Sequence, residues 1–197
     1  MEQSTPIPQI VITSGSGFWI RFLARFIDLL LGFILAPVGV ILGAIVLAIG
    51  QDAGAVSPGW QHRVGGLSVR AMGLSLLGGF LYHCCTEGVH GASLGKLICR
   101  LRVITIDGRP CNLMRAIQRS LAYYWDALFF GLVGYNSMQQ SPLNQRYGDV
   151  WAKTVVVRAA TVPRSAVRPG WVFLLGFVPG ATCWLFMLAL GLILKAR

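Results

Sequence analysis

Arg21, Arg25 and Asp28 stand at the head of a run, Leu29 to Gly50, that contains no charged residue. Ionisable groups beside so long an apolar run are costly to desolvate and need partners. Arg21 and Asp28 are seven residues apart, two helical turns along one face. Arg25 and Asp28 are three apart, close enough to pair directly. A neighbouring cation favours the ionised carboxylate, whereas burial favours the neutral one. A carboxylate pulled both ways can titrate near neutral pH and so bind a cation or carry a proton. The same residues can instead form a salt bridge that fixes a helix at the membrane interface. Both readings stand. Asp126 lies inside a second apolar stretch, Leu121 to Met138. If that stretch spans, Asp126 needs a partner, with His83 and Arg119 as candidates; if it lies at a surface, Asp126 is solvated. Asp149, between Arg146 and Lys153, has the position to cap a helix or to tie its loop to Arg21. These five residues form the candidate ion, proton or structural charge site.

The elements that must position them are apolar helices. The chain has 197 residues, of which 55% are hydrophobic and only 12% charged, about half the charged share of an ordinary soluble domain. At about 1.5 Å per residue, Leu29–Gly50 covers roughly 33 Å, enough to cross a hydrocarbon core of about 30 Å. It is too long for the apolar part of a signal peptide, and residues 1–17 hold no Lys or Arg, so it reads as a retained span. Val69–Thr86 and Trp171–Leu194 are further candidate spans. The expectation is an all-α integral membrane protein of three to four transmembrane helices with a small cytoplasmic β-hairpin-like element.

That element comes from Arg102–Ile106, which has β character, followed by the turn signal Asp107-Gly108. Thr154–Val157 is a second β-like run able to pair with it. Asn112 is placed to cap a helix from Leu113. The loop 87–119 carries six cations and 139–170 five, against one in 51–68. The charge rule therefore places both basic loops in the cytoplasm. A full crossing at 121–138 would separate them, so that segment either crosses or re-enters.

Several functions are set aside. The net charge of +10 is scattered through loops beside spans, which fits the positive-inside bias and not nucleic-acid binding. Anionic lipid headgroups are the expected partner of the basic loops, at about 1 kcal/mol per Lys or Arg near the surface. Five cysteines, among them Cys84 and Cys85 beside His83, make no metal-ligand spacing. Gly91–Lys96 has three residues between its glycines and Leu97 where a P-loop needs Ser or Thr. No nucleophile–base pair or cofactor fingerprint is present, so no enzyme, metal or cofactor is expected. Gly39-xxx-Gly43 and Gly176-xxx-Gly180 allow close helix contact.

Three segments in order resemble the RDD family of membrane proteins. Gly17–Leu31 resembles its opening helix, with the family Arg on Arg21 and the first Asp on Asp28. Gly91–Ile104, Asp107–Pro110 and Arg115–Arg119 resemble its central signature. Arg146–Val157 resembles its closing motif, with Asp149 as the second Asp; Gly148 stands where the family has His, and Ala-Lys-Thr where it has Ala-Gly-Thr. The resemblance implies ion transport, including cation/proton exchange, or a non-catalytic scaffold or assembly role with a membrane-protein partner or a second copy. It implies a multi-pass protein of the bacterial cytoplasmic (inner) membrane. The expected division is a disordered tail over 1–16, a membrane domain over 17–158, a basic linker over 159–170 and an additional C-terminal helix over 171–197.

Overall fold

The computed structural model describes residues 14–63, 69–162 and 166–196; most of the tail and part of the basic linker, Arg164 included, lie outside them. Helix α1 (Phe18–Asp52) leads to the short α2 (Trp60–Arg63) and the long α3 (Val69–His90). After α4 (Leu94–Ile98) and strand β1 (Leu101–Thr105) come α5 (Leu113–Asp126), α6 (Leu128–Gln140) and α7 (Tyr147–Trp151). Strand β2 (Thr154–Arg158) and a 3-10 turn (Ala159–Thr161) precede α8 (Val172–Ala196).

Among the described residues two helices, α1 and α8, are long and apolar enough to cross a membrane. In α1 the buried residues are Arg21, Ala24, Asp28, Gly39, Gly43 and Leu47, spaced three to four apart within each half, so one stripe faces the protein. Much of the rest of its surface is exposed and apolar, as at Phe33 and Ile34. In a membrane protein that surface faces lipid. Helix α8 packs against both α1 and α3. The glycines make this possible. A Cβ on Gly39 would fall 2.5 Å from Leu188 Cβ, and one on Gly176 would fall 2.7 Å from the Cys85 carbonyl oxygen. Both small-residue patterns therefore serve contacts within the chain.

Residues 121–138 are not one helix. Helix α5 ends at Asp126 and α6 starts at Leu128, and Phe129 and Gly131, in the first turn of α6, take φ of 52° and 89°, which distorts that turn away from regular helix. Fourteen and thirteen residues give about 21 and 20 Å, short of a crossing. The stretch 121–138 therefore does not form one continuous spanning helix.

The β element is the pairing expected of 102–106 with 154–157, and only its hairpin form is corrected. Strands β1 and β2 pair antiparallel from Leu101 opposite Arg158 to Thr105 opposite Thr154, so the sheet joins distant segments and is not a hairpin. Asp107-Gly108 does turn the chain, with Gly108 N–H donating to Thr105 C=O at 2.9 Å and Ile104 bridging Pro110. One face of the pair packs Leu101, Val103 and Val156 with Ala24, Cys111 and Ala116. The other packs Ile104, Val155 and Val157 with Ala166. Both faces are covered, which explains the unbroken apolar run Val155–Val157.

Candidate functional site

The leading turns of α1 enter the small core made by β1, β2 and α5. Ala24, fully buried there, seats the helix, and this brings Arg21 within reach of α7. Arg21 Nη1 donates to Asp149 Oδ2 at 2.6 Å, Nε donates to the carbonyl oxygen and hydroxyl of Ser16 at 3.0 Å each, and Nη2 donates to Val156 C=O at 3.3 Å. Arg119, on α5, donates from Nη1 to Asp149 Oδ1 at 2.8 Å and to Thr154 Oγ1 at 2.9 Å. Asp149 also accepts the Arg146 N–H at 3.3 Å, closing the first turn of α7. Both expectations for Asp149, a cap and a tie to Arg21, are met.

The chain of charges continues. Arg119 Nε lies 3.4 Å from Glu87 Oε2, and Glu87 Oε1 contacts Lys96 Nζ and sits 3.7 Å from His83 Nδ1. Arg21, Asp149, Arg119, Glu87 and Lys96 thus alternate in sign through a buried network that ties α1, α3, α4, α5 and α7 together. Burial alone would raise the Asp149 carboxyl, but Arg119, Arg21 and Arg146 outweigh it and hold it below the usual carboxylate range. Burial pushes the Lys96 ammonium down to about 8, against the pull of Glu87.

Asp28 belongs to a separate cradle. It accepts Ser93 Oγ–H at 2.6 Å, Gly95 N–H at 2.8 Å and Tyr82 O–H at 3.3 Å. Those donors are neutral, and they hold α4 against α1. A Cβ on Gly95 would come 1.9 Å from the Ala24 carbonyl oxygen, so only glycine lets the Gly95 amide approach. The expected Arg25–Asp28 pair does not form, because the cradle occupies the carboxylate. Arg25 lies over the Tyr123 ring instead, 3.8 Å from its centre.

Asp126 is 4% exposed and bonds neither His83 nor Arg119. Its Oδ2 accepts the Gly148 N–H at 3.3 Å, while Oδ1 has no hydrogen-bond partner among the described residues; the same holds for Arg146 Nε. The break between α5 and α6 is what turns Asp126 inward toward α7.

The five sequence candidates meet at one place. Arg21, Arg25, Asp28, Asp126 and Asp149 all line a polar cavity of about 40 Å³, together with Glu87, Lys96, Arg119 and Arg146. That volume admits about three waters. Glu87, Lys96 and Arg146 are members that the sequence did not mark as site residues, and Arg119 was expected only as a partner for Asp126. The signal for Glu87 was scarcity: the chain has seven acidic residues, and four of them, Asp28, Glu87, Asp126 and Asp149, line this cavity. Among the described residues no group of three His, Cys, Asp or Glu converges as metal ligands.

The family model described as "RDD family" matches residues 16–153, which takes in α1 to α7 and every residue of the cavity. No curated protein and no solved structure shows a significant match to the chain.

Proposed function

Because the chain belongs to the RDD family, we propose that this membrane protein couples the movement of small ions, protons among them, through the polar cavity at the head of α1. The observation that carries the reading is the gathering of four of the chain's seven carboxylates around one cavity of about 40 Å³. Three of the four are engaged by donors or cations on both oxygens. Asp126 keeps one oxygen unpaired, which makes it the exchangeable group; Asp149 and Arg21 act as the lock that holds the cavity shut at its α7 side. In this reading the protein is multi-pass, with α3 as a third crossing, and resides in the bacterial cytoplasmic membrane. Its basic segments lie in the cytoplasm, and it needs no catalytic chemistry.

The test is a pH-gradient assay in proteoliposomes, with Na⁺, K⁺ or Li⁺ added in turn. Wild-type protein collapses the gradient; Asp126→Asn, inserted to the same level, does not. If wild type leaves the gradient intact, ion coupling is wrong. A second reading, a non-catalytic scaffold for another membrane protein, rests on a different observation: Arg21, Asp149 and Asp28 are each bonded fully within the protein. It predicts a co-purifying partner, and tolerance of Asp126→Asn.

A further inference from the structure

A second cavity, of about 420 Å³, lies between α1, α3, α5 and α8 and shares Arg25, Asp28, Tyr123, Asp126 and Arg146 with the polar one. Its size falls in the range of about 300–1,000 Å³ common for small-ligand sites. Most of its wall is apolar or aromatic, including Phe22, Phe26, Phe80 and Trp184. Phe22, Phe26, Leu29 and Leu76, which also line it, are between 47% and 53% exposed. The cavity therefore opens on the apolar flank of the helices and not on the basic loops.

The polar end is built and incompletely satisfied. The Arg25 guanidinium has a ring beneath it but no carboxylate or carbonyl acceptor among the described residues. A guanidinium offers five N–H donors. Arg146 Nε is buried without a partner at the same end, and so is Asp126 Oδ1, on a side chain 4% exposed. Unfilled donors on two arginines ask for an anion, and the unfilled carboxylate oxygen asks for a donor beside it. Asp28, the other carboxylate on the wall, already has three donors. Depth matches as well. Arg25 precedes the charge-free run that starts at Leu29 by four residues, about 6 Å along the helix, which puts it at the level of lipid phosphates when that run fills the hydrocarbon core.

We infer that this cavity is a binding site for one phospholipid entering from the bilayer, with an acyl chain between α1 and α3, the phosphate on Arg25 and Arg146, and a headgroup hydroxyl or ammonium on Asp126. The inference needs no flux, but it places the headgroup on the Asp126 oxygen that ion coupling would use, so a bound lipid and an exchanging ion compete for it.

Native mass spectrometry of the full-length, delipidated protein in detergent tests it. The probes are phosphatidylglycerol, phosphatidylethanolamine, phosphatidylcholine and diacylglycerol with the same chains, and glycerol phosphate. The expected result is one phosphatidylglycerol or phosphatidylethanolamine per chain, held about tenfold or more tighter than diacylglycerol, as charge-assisted hydrogen bonds require. Phosphatidylcholine, which has no donor for Asp126, falls between. Arg25→Gln removes the preference for phosphate. Gly79→Leu fills the cavity: a Cβ there makes ordinary contact with Trp184 at 3.5 Å, and with folding checked by circular dichroism, lipid retention is lost. Equal retention of diacylglycerol and phospholipid, or undiminished phospholipid binding in Gly79→Leu, overturns the site. Glycerol phosphate binding as tightly as phospholipid overturns the lipid and leaves a soluble anion. A dimer that excludes lipid overturns it in favour of a second copy.

Discussion

Asp149→Asn tests the charge network at its centre. Each Asp149 oxygen takes one guanidinium, Arg21 on Oδ2 at 2.6 Å and Arg119 on Oδ1 at 2.8 Å. An amide of the same shape has one oxygen and one NH₂. Whichever way it turns, an N–H faces a guanidinium N–H at hydrogen-bond distance, donor against donor. Asp149 is 3% exposed and Arg21 2%, so water cannot repair the loss. Removing one partner of a buried pair costs about 3–5 kcal/mol, roughly two to four decades in the folding equilibrium. Arg21→Met should cost less, because Asp149 keeps Arg119 and the Arg146 N–H. In the Arg21→Met background, the Asn can point its oxygen at Arg119 and leave its NH₂ facing only the Arg146 N–H at 3.3 Å, so Asp149→Asn becomes milder there. Reversible unfolding in mixed micelles of rising dodecyl sulfate content, followed by circular dichroism, measures all four corners of the cycle. The pH dependence gives a second readout. The native carboxyl is held below its ordinary value, so its stabilisation is complete above about pH 4 and fades as pH falls through the native value. The Asn variant lacks that slope. A cost under about 1 kcal/mol, as for an exposed pair, or simple additivity in the cycle, would refute a buried, coupled network.

Three further outcomes are expected. Gly95→Ala forces α4 off α1, since its Cβ would strike the Ala24 carbonyl oxygen; thermal unfolding should show a loss of at least about 1–3 kcal/mol, while Gly73→Ala, with nothing within 4 Å, costs nothing. The Lys96 ammonium titrates near 8 in the native state and near 10.4 when unfolded. Between those values the unfolded chain holds more protons, so this residue makes stability rise with pH across that window, and unfolding of Lys96→Met should show a flatter profile. Burial pushes the Cys111 thiol up to about 11; at pH 7.5 a maleimide should label Cys111 only after unfolding, as peptide mapping of the labelled chain would reveal.

Much of the architecture was legible because it depends on local pattern. The charge-free run after Asp28, the cap at Asn112 and the β-like runs near 102–106 and 154–157 all appear where short-range chemistry put them. Asp149 was legible as both a cap and a tie, since it follows Arg146 by three residues and sits in a basic segment. Three features were not. Arg25 and Asp28 stand at pairing distance in sequence, yet Ser93, Gly95 and Tyr82, arriving from 54 to 67 residues away, claim the carboxylate first. Asp107-Gly108 signals a hairpin, but the partner of β1 is the run at 154–157, after three helices, and although the sequence marked that run as able to pair, no local signal preferred it to the hairpin. Glu87 and Lys96 look like ordinary charges at the end of a span; only the packing of α5 on α3, which delivers Arg119 between Glu87 and Asp149, makes them part of the site.

Helix α8 lies beyond the family-matched residues 16–153, yet it fills the glycine-lined seam that α1 and α3 present. It acts on that seam as a tethered ligand. A short tether holds its end at an effective concentration of about millimolar, so a helix from another protein competes at a standing disadvantage for the same surface. Any helix-mediated assembly of the intact chain would then have to use the outer faces of α1 and α8. Cutting the chain ahead of Trp171 would reverse this, converting an occupied seam into a receptor for any small-residue helix in the membrane.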